Sequence, residues 1–308
     1  MAAMPGPRRV VAVLNASAGD DGKQSVADRL AELLRGHGIE ARVLLADSGE
    51  QLVELAKGAV RDKPDMILAG GGDGTINAVA TQVVGTGIAL GVLPLGTLNH
   101  FAKALRMPED LDAAVAVVVA GRTAQVDVGD VNGRIFLNNS SLGLYPSLVR
   151  KRDAQQEQLG RGKWAAALWA ALTLLRRHAL LRVHVTVNGA KIQRRTPTVF
   201  VGNNAYTMNG LHVGERERLD GGQLGLYLLH RNGRTGLLWL ALRAMVGALR
   251  EAKDFDTVLA EAICIETHRK RLLVAIDGEV VPMASPLNYR IRPGALRVVV
   301  PEPAVDPA

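Results

Sequence analysis

The sequence predicts two domains, an α/β domain with a parallel sheet followed by a mainly antiparallel β-sandwich. Three observations support this fold class. A chain of 308 residues, 48% of them hydrophobic, is long enough to form two cores. Its first third alternates apolar runs with amphipathic stretches, as βαβ units do. After about Val126 the pattern changes to short strands separated by turn residues, which places the domain boundary there.

The first domain, residues 1–126, contains apolar runs short enough to be buried strands of a parallel sheet. These runs are Val10 to Leu14, Ala41 to Leu45, Met66 to Ala69 and Ala89 to Leu93. Amphipathic spacing predicts helices between and after them, at Ser25 to His37, Glu50 to Val60, Ile76 to Val84, Leu98 to Leu105 and Leu111 to Ala120.

The second domain, residues 127–300, is marked by hairpin signals. Asn132-Gly133 and Asn188-Gly189 stand between β-branched and apolar runs, as in two-residue turns. Strands are predicted at Arg134 to Asn138, Arg182 to Val187, Thr198 to Val201, Leu224 to Leu229, Ile263 to Thr267, Leu272 to Ile276 and Leu296 to Val300. Helices near 162–177 and 234–252 interrupt them, and a loose tail is expected at 301–308. This pattern indicates a two-layer sandwich.

The net charge of +7 predicts an anionic partner, which could be a nucleotide, a nucleic acid or a membrane surface. Four Tyr and four Phe without basic interleaving provide no stacking platform, so no nucleic acid is expected. The apolar segments Trp164 to Leu175 and Leu237 to Leu249 are shorter than the ~20 residues of a membrane-spanning helix. The N-terminus has no signal-peptide pattern. The single cysteine, Cys264, indicates a buried thiol in a reducing compartment, and therefore a cytoplasmic protein.

A glycine-rich loop, Gly70-Gly71-Gly72-Asp73-Gly74-Thr75, joins the third strand to the next helix. Glycines at such a junction allow a tight turn and let backbone N–H groups approach an anion at the positive end of the helix. The loop therefore predicts a phosphate cradle. The same residues also suit an ordinary strand-to-helix turn with Thr75 as the N-cap, and the two interpretations are compatible.

Two more polar, glycine-bearing loops follow predicted strands, at Asn15 to Gly19 and Pro94 to Asn99. Loops at the carboxyl ends of parallel strands converge on one crevice, so the sequence predicts a nucleotide site there. The expected side-chain contacts are Asn15, Thr75, Asn77 and Thr97. A P-loop is excluded because Gly19 to Lys23 lacks its spacing, and a dinucleotide site because the first loop lacks G-x-G-x-x-G.

Two of these loops resemble those of the diacylglycerol kinase catalytic-domain family, which includes bacterial lipid kinases, sphingosine kinases and ceramide kinases. The similar residues are Gly71-Gly72-Asp73-Gly74-Thr75 with Asn77, and Leu93-Pro94-Leu95-Gly96-Thr97 with Asn99 and Phe101. The resemblance covers nearly the whole chain. It implies a Rossmann-like first domain of the NAD kinase and phosphofructokinase type. It also implies transfer of the γ-phosphoryl group of ATP, with Mg²⁺, to a diacylglycerol-like or sphingoid lipid hydroxyl.

The resemblance also implies site residues. ATP contacts are expected from Asn15, Gly71, Gly72, Asp73, Gly74, Thr75, Asn77, Gly96 and Thr97. The family's catalytic Asp-x-Glu matches Asp277-Gly278-Glu279, where a carboxylate could accept the proton of the attacking hydroxyl. Without the resemblance, an Asp-Gly hairpin turn would be favoured here. A structural Mg²⁺ ligand of bacterial members aligns with Gly221, so Asp220, one residue earlier, is the candidate metal ligand.

The expected partners are a lipid substrate and, transiently, a membrane surface, with a homodimer left open. Cations and tryptophans that could meet anionic lipid are Arg150, Lys151, Arg152, Arg161, Lys163, Trp164 and Trp169. A solvated charged face is the other interpretation of this segment. Two alternative functions are a kinase of a soluble acceptor such as NAD, and a degenerate regulatory protein that binds nucleotide or lipid. The NAD kinase stretch Gly-Ser-Thr-Ala-Tyr is absent, and the presence of both carboxylates argues against degeneration.

Overall fold

A computed structural model describes residues 9–15, 20–143, 180–207, 216, 218–229 and 255–302. They form two compact units. The first runs to Val128 and also includes the segment from Gly294 onward, and the second is Gly129–Pro293. The sequence-based division instead kept 127–300 together. The segments expected to be helical near 162–177 and 234–252, the basic cluster at 150–169 and the last residues of the tail lie outside the described part of the chain.

The first unit contains a parallel sheet with helices between its strands. Its elements are β1 (Arg9–Asn15), α1 (Asp20–Gly36), β2 (Glu40–Ala46), α2 (Gly49–Arg61), β3 (Met66–Gly71), α3 (Asp73–Val83), β4 (Ala89–Pro94), α4 (His100–Ala104), α5 (Leu111–Ala120) and the start of β5 (Thr123–Val131). The strand order is β2-β1-β3-β4. The end of β16 (Leu287–Val299) adds a further parallel strand, in which Val298 pairs with Leu90 of β4.

Local sequence explains where these elements begin and end. Every residue of β3 and β4 is buried, as expected for central strands covered on both faces. Helix α2 begins after Ser48, whose hydroxyl accepts from the N–H of Gln51, and α5 begins after Asp110, whose carboxylate accepts from the N–H of Ala113. Gly121 ends α5 in the left-handed conformation, with φ of 64°.

The second unit is a two-layer antiparallel sandwich. Its further strands are β6 (Arg134–Phe136), β7 (Asn139–Gly143), β8 (Leu181–Val187), β9 (Ala190–Thr196), β10 (Thr198–Asn203), β11 (Leu224–Leu229), β12 (Phe255–Ala260), β13 (Ala262–Thr267), β14 (Arg271–Ile276) and β15 (Glu279–Ala284). One layer has the order β16-β13-β8-β9 and includes the β5–β6 hairpin. The other has the order β12-β11-β10-β7-β14-β15. Apolar side chains of both layers form one core.

These observations confirm the predicted fold class, an α/β domain followed by an antiparallel sandwich. Both Asn-Gly pairs turn with positive φ at each residue, 48° and 84° at Asn132-Gly133 and 48° and 77° at Asn188-Gly189, which is the type I′ geometry. Cys264 differs from expectation because it is only half-buried. This partial burial, followed by the nearby Glu266 carboxylate, raises the pKa of its thiol. Among the described residues, no helix is both long and apolar enough to cross a membrane.

Candidate functional site

The glycine-rich loop of the first unit leads directly from β3 into α3. A side chain on Gly71 would collide with Thr75, whose Cβ lies 2.7 Å from the position that a Cβ would take. Helix α3 has Gly72 as its N-cap, so the N-cap residue has no side chain that could accept from the first N–H groups of the helix. Thr75 is therefore not the N-cap that the sequence suggested. The first N–H groups of a helix have no intrahelical acceptor, so they are available to an anion.

Asn15, at the end of β1, is held against this loop. Its Nδ2 donates to Thr75 Oγ1 at 3.2 Å, and the Thr75 side chain is buried. The rest of the predicted first loop, residues 16–19, lies outside the described residues. Asn77 lies two residues beyond Thr75 on α3, where its backbone carbonyl accepts from the Thr81 hydroxyl at 2.8 Å.

The loop after β4 is shaped by Asn99, which has a left-handed φ of 51° and is buried. Its Oδ1 accepts from the N–H of Gly96 at 3.1 Å, while its Nδ2 donates to the carbonyls of Gly96 at 2.7 Å and Pro94 at 3.2 Å. The side chain thus replaces backbone partners inside the loop, an ordinary role for asparagine in turns. Thr97 is exposed at the tip of the loop.

Two contacts join the loops after β3 and β4. A Cβ on Gly96 would overlap Gly72 Cα, so the two backbones are already in contact. The Asp73 carboxylate crosses the same gap, with Oδ1 and Oδ2 accepting from the N–H groups of Phe101 and His100 at 3.0 Å each. Asp73 was predicted as a nucleotide contact, but its carboxylate caps α4, which leaves its backbone N–H for that role. The first unit therefore brings together most of the predicted nucleotide residues.

The predicted catalytic pair lies in the second unit, on the hairpin between β14 and β15. Asp277 and Gly278 have φ of 45° and 90°, and Ile276 pairs with Glu279 across the turn. This is a type I′ turn, as the hairpin interpretation of the sequence expected. Glu279 is exposed, and no hydrogen bond or ion pair to its carboxylate is seen among the described residues.

The Asp277 carboxylate is bound by backbone donors. Oδ1 accepts from the N–H groups of Asn138 and Asn139, both at 2.9 Å, and Oδ2 accepts from the N–H of Leu137 at 2.7 Å. The N–H of Asp277 donates to the Asn139 carbonyl at 2.9 Å. The sequence did not predict that the backbone of residues 137–139 binds Asp277, because any residue type can supply a backbone N–H donor.

Asp220 is the residue for which the sequence suggested a metal-ligand role. It is exposed, and its carboxylate accepts from Arg218 Nε at 3.0 Å, a contact that lowers the pKa of Asp220. A Cβ on Gly221 would lie 2.8 Å from Asn204 Oδ1, so a side chain at this position would require Asn204 to move. In the part of the chain that the structure describes, no three His, Cys, Asp or Glu residues are grouped as a metal site would require. We assign no metal to this segment.

Comparison with known proteins agrees with this geometry. Residues 9–131 match the model of the diacylglycerol kinase catalytic domain, and residues 148–300 match that of the YegS C-terminal NAD kinase beta sandwich-like domain. The fold and the matched models define a kinase-type phosphotransferase. The chain belongs to the diacylglycerol kinase catalytic-domain family, and its relatives include proteins named "Probable lipid kinase YegS".

Three relatives illustrate the extent of the similarity. "Probable lipid kinase YegS" of Salmonella gallinarum (strain 287/91 / NCTC 13346) is 28% identical over 87% of this chain and 89% of that protein. "Probable lipid kinase YegS-like" of Klebsiella pneumoniae (strain 342) is 38% identical, but over 49% of this chain and 48% of its own length. The crystal structure of a diacylglycerol kinase from Bacillus anthracis str. Sterne has a TM-score of 0.71 and 19% identity, covering 96% of this chain and 98% of that one. At that identity it supports the fold alone.

Proposed function

We propose that the protein is an ATP-dependent lipid kinase that transfers the γ-phosphoryl group of ATP to a lipid hydroxyl. The observation that carries this proposal is the pair of loops after β3 and β4, which meet beside the N-terminus of α3, where the N-cap residue Gly72 has no side chain. Backbone N–H groups at a helix N-terminus are well suited to a triphosphate. Mg²⁺ would arrive with ATP and neutralise charge on its β- and γ-phosphates, and no residue of the described chain is assigned to hold it.

The two carboxylates of the hairpin would have different roles. Three of the roughly four lone-pair positions of Asp277 already accept backbone N–H groups, so this carboxylate is fixed and mostly occupied. Glu279 is exposed and begins the next strand. We therefore propose that the Glu279 carboxylate accepts the proton of the attacking hydroxyl. Asp277 holds the turn and supplies negative charge beside it.

The lipid acceptor is proposed from relatives whose names are "Probable lipid kinase YegS-like" and "Probable lipid kinase YegS". Contact with a membrane surface through the basic and tryptophan-containing segment, in a cytoplasmic protein, is part of the same proposal. A soluble acceptor remains the alternative to be tested, since the second family model is described as NAD kinase-like.

The decisive experiment is transfer from radiolabelled ATP, with Mg²⁺, to candidate acceptors. The panel contains diacylglycerol, monoacylglycerol, a sphingoid base, ceramide and phosphatidylglycerol in mixed micelles, with NAD as the soluble acceptor. Label on one lipid supports the proposal and identifies the substrate. Label on NAD alone, or on no acceptor despite measurable ATP binding, contradicts it.

Glu279→Gln tests the proton acceptor. We expect turnover to fall by about 10²- to 10⁴-fold, the usual contribution of a general base. The unfolding transition should not change, because the carboxylate is exposed and has no partner among the described residues. Turnover and thermal unfolding are measured on the same preparation. The control is Glu261→Gln, which makes the same change at another exposed glutamate. Equal turnover in the two variants would exclude Glu279 as the proton acceptor.

Gly74→Ala tests whether a phosphate approaches the loop. A Cβ at Gly74 meets no atom within 4 Å, so packing in the free protein does not require glycine there. Alanine should leave stability unchanged or raise it by about 0.5 kcal/mol, since it is a better helix former. If a phosphate approaches the N–H of Gly74, the added methyl group would obstruct it. Gly74→Ala should then bind ATP about 10- to 100-fold more weakly than the wild type. Calorimetric titration with ATP measures the affinity, and unchanged affinity would place the phosphates elsewhere.

A further inference from the structure

Arg216 connects separate segments of the second unit through its guanidinium group. Nη1 donates to the carbonyl of Leu137 at 2.7 Å and to that of Asn203 at 3.3 Å, and Nη2 donates to Asn138 Oδ1 at 2.8 Å. The guanidinium carbon lies 5.4 Å from the centre of the Tyr206 ring. The side chain is half-buried. A cation with this many specific contacts differs from the arginines that only pair with acids at the surface.

The segment that Arg216 contacts is the one that binds the Asp277 carboxylate. In the peptide group between Leu137 and Asn138, the carbonyl accepts from Arg216 Nη1 at 2.7 Å and from Asn203 Nδ2 at 2.9 Å, and the N–H donates to Asp277 Oδ1 at 2.9 Å. The next peptide group repeats this arrangement, since its carbonyl accepts from the Tyr206 hydroxyl at 3.0 Å and its N–H donates to the same Oδ1. A donor on a peptide oxygen strengthens the N–H of that peptide as a donor, because hydrogen bonds in a chain polarise one another.

We propose that Arg216 is a positioning residue for the carboxylate hairpin. It fixes and polarises the Leu137–Asn138 peptide, which in turn fixes Asp277 and hence the turn that carries Glu279. The inference rests on the proposed function for its kinetic consequence, but the hydrogen-bond relay itself can be measured without any acceptor.

The geometry requires arginine in particular. A planar guanidinium directs several N–H donors at once to acceptors in fixed positions, whereas an ammonium group is a point charge on a flexible stem. Arg216→Lys keeps the charge but cannot reach both Leu137 O and Asn138 Oδ1 in the same way. The lysine variant is therefore expected to recover little of the function of the arginine.

The kinetic test compares Arg216→Ala and Arg216→Lys with Arg218→Ala. Arg218 is the matched control, because it is an exposed arginine two residues away whose Nε pairs with the exposed carboxylate of Asp220 at 3.0 Å. We expect kcat to fall by about 10- to 100-fold in both Arg216 variants, as for the loss of hydrogen bonds from a charged group. The KM for ATP should change little, because the proposed nucleotide loops belong to the first unit. Arg218→Ala should keep the kcat of the wild type.

Chemical rescue distinguishes a positioning role of Arg216 from a role in folding alone. Guanidinium chloride at millimolar concentration, far below the molar range that unfolds proteins, should restore part of kcat in Arg216→Ala and none in Arg216→Lys. Equal kcat in the wild type and Arg216→Lys would overturn the proposal. So would a fall in kcat that merely follows the folded fraction, measured by circular dichroism.

A second readout does not depend on the acceptor. The amide protons of Asn138 and Asn139 should resonate downfield in the wild type, because each donates to a carboxylate through a polarised peptide. In ¹⁵N-resolved spectra we expect the Asn138 amide to move upfield in Arg216→Ala and Arg216→Lys, and to stay in place in Arg218→Ala. An unmoved amide in a folded Arg216 variant would refute the relay even if the protein proves to be no lipid kinase. A moved amide in a protein without lipid kinase activity would leave the relay standing and remove only the proposed function.

Discussion

Asp277→Asn should strongly reduce phosphoryl transfer and also destabilise the second unit. Asparagine presents one oxygen and one NH₂ group where the aspartate presents two acceptor oxygens, so at least one backbone N–H loses its partner. With oxygen kept at the Oδ1 position, the NH₂ group would face the N–H of Leu137, which now donates to Oδ2 at 2.7 Å. An unpaired donor of this kind costs about 1–3 kcal/mol. The turn that carries Glu279 should shift as well, and turnover should fall by about 10³-fold or more.

The measurements are turnover on the best lipid acceptor and the free energy of unfolding in urea. ATP affinity should be almost unchanged, because the proposed nucleotide residues belong to the first unit. Glu279→Gln provides the contrast, since it is expected to lose turnover without losing stability. Full activity in Asp277→Asn would exclude the carboxylate hairpin from catalysis. Loss of activity with unchanged stability would show that the three backbone contacts contribute less than we infer.

Gly96→Ala should cause the largest loss of stability among single methyl additions to the nucleotide loops. The new Cβ would overlap Gly72 Cα and lie 2.9 Å from Gly72 N and 2.8 Å from Asn99 Oδ1. Two of these three obstacles are backbone atoms, which cannot move as the end of a flexible side chain can. We therefore expect a cost at or above the upper end of the ~1–3 kcal/mol typical of overpacking.

Gly72→Ala is the matched control for this collision. It adds the same methyl group to the other side of the same contact, but its Cβ would lie 3.7 Å from Gly96 Cα, an ordinary van der Waals distance. Thermal unfolding of the two variants should therefore differ clearly, with Gly96→Ala the less stable. Equal unfolding temperatures would mean that the two loops are not packed as described.

The sequence was most informative where local chemistry alone decides the structure. The apolar runs of β1, β3 and β4 were predicted because central parallel strands are buried on both faces. By contrast, β9 was missed. Its sequence, AKIQRRT, is largely exposed at the edge of a layer, so it has neither an apolar run nor a clear alternation.

The candidate site also has some parts that local sequence predicts and others that it does not. Glycines and the Asp-Gly turn have recognisable sequence signatures, so their positions could be predicted. The capping of α4 by Asp73 joins residues 27 and 28 positions apart, and Asp277 receives its donors from about 140 positions away. Such contacts depend on how strands far apart in sequence pair with each other. The role of Arg216 could not be predicted for the same reason.

The strand β16 has a consequence for synthesis of the chain. It begins in the second unit and ends beside β4 in the first, where Val298 pairs with Leu90 and the N–H of Val300 donates to the Arg122 carbonyl. During translation, the residues from Gly294 onward, which complete the sheet of the first unit, are therefore made after all residues of the sandwich. Until they are made, the edge of β4 has no neighbouring strand. The part of the protein that is translated first is thus the part whose sheet is completed last.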